Sequence, residues 1–235
     1  VLGSGLLIYV YSWWVDVNST SLHGFYRDRL SETFLFRCNA GDCIESSDAL
    51  KLSNLNLGNA PYHLVNVTLN LAGSENPELH GRSSDFFILA KQYCGSHRTG
   101  YVRTKLLEAR EPHLNLGTAM AISGAAAAPN MGTSTIKPPV FLMAMLNIRL
   151  GYWLPNPHAV KLDALLHKFY PNVGPAYLLL EMLGRMKETH AFVNLSDGGH
   201  LENLGIYELL RRRCKYIIAI DAEADHAMDF PSLAR

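Results

Sequence analysis

The sequence predicts an α/β fold, with a central and mostly parallel sheet flanked by helices, and three observations carry that expectation. Residues 64–71, Leu-Val-Asn-Val-Thr-Leu-Asn-Leu, alternate apolar and polar side chains and include β-branched residues, as a strand with two unlike faces does. Residues 192–220 read as a short apolar strand, a tight turn at Asp197-Gly198-Gly199, a helix with Leu201, Leu204, Tyr207 and Leu210 on one face, and a buried strand Tyr216-Ile217-Ile218-Ala219-Ile220. Strand, helix, strand is a crossover unit, the connection that parallel neighbours need. Residues 21–36, 138–150 and 174–187 add apolar side chains at helical spacing, enough to cover a sheet.

Taken in order, residues 1–15 are apolar and uncharged until Asp16. That is shorter than the roughly 20 residues that span a bilayer. Residues 1–17 are therefore expected to be either the end of a membrane helix or a buried core helix, and the chain reads as a piece of something longer. Residues 21–36 form an amphipathic helix with capping residue types from Asn18 to Ser21, and Arg27, Asp28 and Arg29 make its solvated or ion-paired face. Residues 37–60, rich in Asn, Gly, Ser and Asp, read as a surface loop with at most one short helix. After the strand at 64–71 come a turn-rich excursion and a buried strand at 86–89. Residues 93–103 follow as a charged loop, in which Arg98 and Arg103 are the candidates for an anion, against the plainer reading of a solvated surface.

Residues 114–131 are dominated by small side chains, so this helix can pack close to its neighbours, and Pro129 ends it. Ser123-Gly124 lies within Ala-Ile-Ser-Gly-Ala, which lacks both glycines of a nucleophile elbow. An apolar helix at 138–150, a turn-rich stretch at 151–172 and a largely buried helix at 174–187 follow. No composition break or internal repeat divides the chain.

Composition narrows the function. Lys plus Arg and Asp plus Glu number 21 each, so no net field draws in nucleic acid, and nucleic acid is not an expected partner. Cys38, Cys43, Cys94 and Cys214 contain no Cys-x-x-Cys pair and read as reduced, structural thiols. Glycosylation-type triplets begin at Asn18, Asn66 and Asn194, and the last lies in an expected buried strand, so these read as chance matches.

The turn at Asp197 admits three readings. As a structural turn, the aspartate accepts hydrogen bonds from the following amides and the glycines supply positive φ. As a metal site, Asp197 and His200 would need further ligands, and no cluster shows ligand spacing; Asp221, Glu223 and Asp225 alternate as in a calcium loop but put His226 where a glycine is required. As a general base, Asp197 takes the proton of a hydroxyl nucleophile held opposite.

Residues 194–205, Asn-Leu-Ser-Asp-Gly-Gly-His-Leu-Glu-Asn-Leu-Gly, and 209–222, Leu-Leu-Arg-Arg-Arg-Cys-Lys-Tyr-Ile-Ile-Ala-Ile-Asp-Ala, resemble the closing motif of the patatin-like acyl hydrolases, in the branch that includes cytosolic phospholipases. Residues 121–129 are similar to that family's small-residue, proline-ended helix, and residues 21–30 resemble bacterial membrane-associated members. The resemblance implies a patatin-like fold, incomplete at the N-terminus, with residues 18–235 as the C-terminal part of the catalytic domain. It implies a Ser-Asp dyad in which Asp197 is the base and Gly198 and Gly199 shape its turn, with no metal and no cofactor. The implied substrate is a lipid ester, the implied partner a membrane surface, and the implied location a membrane-associated, cytoplasmic domain. The sequence contains no Gly-x-Ser-x-Gly, so the family serine is expected upstream and the fragment alone is expected to be inactive. A non-catalytic membrane scaffold of the same fold and an acyltransferase on the same dyad are the alternatives.

Overall fold

The computed structural model of the chain describes residues 15–38, 44–56, 58, 60–79, 82–127, 143, 146–162 and 172–221. Strands β1 (Phe36–Cys38) and β2 (Ile44–Ser46) form a two-stranded antiparallel ribbon within the stretch expected to be loop. A second sheet holds β3 (Leu64–Asn70), β4 (Ser84–Ala90), β5 (Tyr93–Ser96), β6 (Gly100–Arg103), β7 (Tyr152–Pro155) and β8 (Phe192–Asp197), in the order β6-β5-β4-β3-β8-β7.

Every pairing in this sheet is antiparallel, which overturns the expected mostly parallel sheet. Strands β3 to β6 are successive antiparallel neighbours, and β8 inserts between β3 and β7, opposite in direction to both. The segment read as the closing parallel strand is in no strand. Tyr216, Ile218 and Ile220 are 82%, 90% and 85% exposed. β-branched and aromatic composition states what a segment can do beside a free sheet edge, and both edges of β3, β4 and β8 are already paired. The charged loop expected at 93–103 is the β5–β6 hairpin, and Arg98 is held by Asp85 (2.9 Å) and Glu78 (2.7 Å), so it is not waiting for an anion.

Side-chain alternation sorts the sheet into two buried faces. Val65, Val67, Leu69, Phe87, Leu89, Tyr152, Leu154, Val193 and Leu195 join one apolar cluster with Leu107, Leu114, Ala119 and Ile122. The residues between them on β3, β7 and β8 turn the other way. Trp153 and Phe192 pack with Val17, Val173 and Met186, while Thr68, Asn70, Asn194 and Ser196 are polar and nonetheless buried.

The β7 edge is closed by one side chain. Asn18 Oδ1 accepts the Trp153 N–H (2.9 Å) and its Nδ2 donates to Trp153 O (2.8 Å), so the carboxamide imitates the missing strand. With Asn18 and Asn194 buried in these roles, the chance reading of their glycosylation triplets fits the structure.

The helices are α1 (His23–Phe34), α2 (Thr104–Arg110), α3 (Leu116–Ser123), α4 (Pro157–Leu162), α5 (Ala176–Met182) and α6 (Tyr207–Arg211). Asn115 caps α3 by accepting the Thr118 N–H at 2.9 Å. Small residues let α1 approach it: a Cβ on Gly117 would lie 2.8 Å from Ser31 Oγ, and one on Gly124 would lie 2.9 Å from the Tyr26 hydroxyl. The expected helix at 138–150 lies mostly outside the described residues, and 146–150 is not helical. Cys94 is a buried free thiol and Cys214 an exposed one. Among the described residues no helix is long and apolar enough to cross a membrane, and residues 1–14 lie outside them.

Candidate functional site

Strand lengths create the site. Val67 pairs with Asp197, the last residue of β8, so residues 64–66 of β3 run on past the end of β8 with no strand partner on that side among the described residues. The chain then turns through a 3-10 segment, Gly198–His200, and residues 202–205 cross in front of the overhang. Asp197 follows Val193 and Leu195 on the apolar face of β8, and α3 covers that face, presenting Leu116, Met120 and Ser123 at i, i+4 and i+7. These pieces enclose a pocket of about 520 Å³ that contains Asp197, Gly198, Gly199, Asn66, Asn203 and Ser123, with Leu35, Leu64, Val65 and Leu204 among its apolar lining.

Asp197 is held and still available. Its Oδ1 accepts the Gly199 N–H at 2.8 Å, and among the described residues no hydrogen bond reaches Oδ2. The two glycines serve this geometry through contact and not through conformation. Neither has positive φ, against the expectation from the turn reading. A Cβ on Gly198 would stand 2.7 Å from Asn66 O, and one on Gly199 would overlap Asn203 Oδ1 and sit 3.2 Å from Asp197 Oδ1. A side chain at Gly198 would push against the β3 backbone, and one at Gly199 would have to move the Asn203 side chain.

His200 is fully used by the protein. Ala126 O can only accept, so the 3.3 Å contact requires His200 Nε2 to carry the proton. In the neutral ring Nδ1 then accepts from Ser196 Oγ (3.0 Å), while Ser196 Oγ accepts from Asn70 Nδ2 (2.9 Å), whose other proton goes to Asn194 Oδ1 (2.8 Å). Burial lowers the imidazole pKa, and the Asp197 charge opposes that shift. With both nitrogens engaged, His200 has no lone pair to offer beside Asp197, and among the described residues no group of three or more metal-ligating side chains occurs. The calcium-loop alternation beyond Asp221 lies outside the described residues.

Two residues belong to the site that the sequence did not single out. Tyr26 donates to Gly124 O at 2.6 Å, and its phenol pKa is raised by burial and then by the charge of Asp197, which places the two groups in each other's field. Asn66 connects three parts of the pocket: its carbonyl accepts from Ser123 Oγ (2.8 Å), its Nδ2 donates to Gly205 O (3.4 Å), and its backbone lies against Gly198. Ser123 thus lines the pocket beside Asp197, but its proton is committed to a carbonyl, which does not activate it. Tyr26 sits in an ordinary amphipathic pattern and Asn66 on the polar side of an alternating strand, so neither carries a local signal. No family model, curated protein or solved structure matches the chain.

Proposed function

We propose that this chain supplies the aspartate of a Ser-Asp dyad in a lipid acyl hydrolase that works at a membrane surface. The observation that supports the reading is a carboxylate with one oxygen pinned and the other, among the described residues, unbonded, facing an apolar-walled pocket. Asp197 Oδ2 takes the proton from a serine hydroxyl as the oxygen attacks an ester carbonyl. Protonated Asp197 returns the proton to the leaving alkoxide, which departs as the alcohol, and the regenerated carboxylate takes a proton from the water that attacks the acyl-enzyme and hands it back to the serine oxygen as the acid is released. On this reading the serine comes from a segment beyond these 235 residues, because no Gly-x-Ser-x-Gly lies within them.

Asp197→Asn tests it in a protein that joins this chain to its serine-bearing segment. The amide oxygen still accepts the Gly199 N–H, so the turn keeps its support, but the base is gone. Hydrolysis of a monoacylglycerol is expected to fall by about 10⁴-fold, the scale seen when an aspartate partner is neutralised in a serine hydrolase. Turnover within a few-fold of the parent overturns the assignment.

A further inference from the structure

We infer that the pocket takes a single straight acyl chain, its ester at the Asp197–Ser123 end and its tail laid along α3 past Met120, with Leu116 fixing the length accepted. This rests on reading the site as that of a lipid acyl hydrolase. It is carried by the order of side chains on one helix face. Ser123 lies at the polar end, its hydroxyl bonded to Asn66 O within the group that adjoins Gly198 and Asp197. Met120 stands one turn back, and Leu116 one turn further, at the end of α3, where the Leu116 amide bonds to Leu50 O.

A ligand that satisfies this gradient is polar at one end and aliphatic at the other. Its reactive end is fixed by Asp197, and the tail then follows the apolar side chains of α3. From Ser123 to Leu116 the helix rises about 10 Å at roughly 1.5 Å per residue. An extended hydrocarbon advances about 1.3 Å per carbon, given ordinary carbon–carbon bond lengths, so about eight carbons lie between the two ends. The volume suits one chain: about 520 Å³ is mid-range for a small-ligand pocket, and a second acyl chain of a diacyl lipid stays outside. Leu116, at the far end of that span, is the side chain against which the length is measured, and Met120, unbranched and adaptable, lies alongside the chain.

The test is calorimetric titration of the 235-residue chain with butanoyl, hexanoyl, octanoyl and dodecanoyl monoglycerides below their micelle-forming concentrations. Affinity is expected to rise about threefold to fourfold per added methylene as far as octanoyl, as burial of each methylene requires, and to level off by dodecanoyl. Leu116→Trp moves the levelling point to shorter chains, and Leu116→Ala moves it to longer ones. Affinity independent of chain length in the unmodified protein overturns the inference, as does a levelling point unmoved in both folded variants. Because binding is read without turnover, length-dependent binding together with an active Asp197→Asn enzyme would remove the catalytic reading and leave the acyl site. The reverse pair of results would remove only the acyl site.

Discussion

His23, on the first turn of α1, donates from Nδ1 to Leu150 O at 2.6 Å, while its Nε2 is buried with no hydrogen-bond partner. A proton on Nε2 would be a buried charge with nothing to receive it. Burial pushes the pKa down to about 4 despite the opposing Leu150 bond, and the Arg149 and Arg27 charges add to the fall. An unfolded histidine titrates near 6.5, so between 6.5 and 4 the unfolded chain holds a proton that the native chain refuses. Stability is therefore complete above pH 6.5 and declines as the pH drops towards 4, by about 3 kcal/mol. His23→Asn, whose amide can still donate to Leu150 O, should remove most of that decline when urea midpoints are compared at neutral pH and near pH 4; an unchanged slope excludes His23 as its source. At this scale the sequence was legible only where chemistry is local. A carboxylate before two glycines at a strand end marked Asp197, whereas Ala126, which His200 bonds, and Asn70, which bonds Ser196 behind it, lie far away in the chain and left no pattern.

Elements were legible where their own periodicity settled them. The alternation at 64–71 became β3 and the amphipathic pattern at 21–36 became α1, each shifted by no more than two residues at an end. Tyr152–Pro155 was obscured because its Pro, Trp and Tyr lie in a turn-rich stretch, and because it occupies an edge where Pro155 is tolerated. The edge is stable only with Asn18 across it. Replacing Asn18 by Ala leaves the Trp153 N–H and C=O unpaired in the interior and removes an acceptor 3.3 Å from Arg149 Nη2. The expected cost is about 2–4 kcal/mol, from two buried backbone groups at roughly 1–2 kcal/mol each. Hydrogen exchange at the Trp153 amide should accelerate more than at Leu195 in the centre of the sheet; equal acceleration at both would mean that the edge is held by something else.

At the scale of the whole molecule, the two faces of the sheet are held by different physics. The face under α3 is largely an apolar cluster held by side-chain contact, so a hydrophobic pattern anticipates it. The opposite face carries buried Asn, Ser and Thr beside Trp153, and no pattern rule predicts polar side chains there because their partners come from remote segments. Its anchor is Arg149, fully buried, with Nη1 donating to Gly151 O (2.8 Å) and Nε to Asn147 Oδ1 (2.9 Å), and with Glu181 of α5 at 3.8 Å. Glu181 in turn accepts from Trp153 Nε1 at 3.2 Å. Burial raises the Glu181 pKa and the Arg149 charge opposes it, while Asp16 adds a second negative charge near the guanidinium. The pair thereby fastens residues 16–18, 147–153 and α5 to one side of the sheet. Removing one ion strands the other in the interior, so Glu181→Leu and Arg149→Met should each cost about 3–5 kcal/mol, while the two changes together should be less destabilising than the sum of the single changes. Urea unfolding of the singles and the double measures that coupling. Strict additivity would show that Arg149 is held by its carbonyl and amide acceptors alone and that the charge on α5 contributes nothing to closing this face.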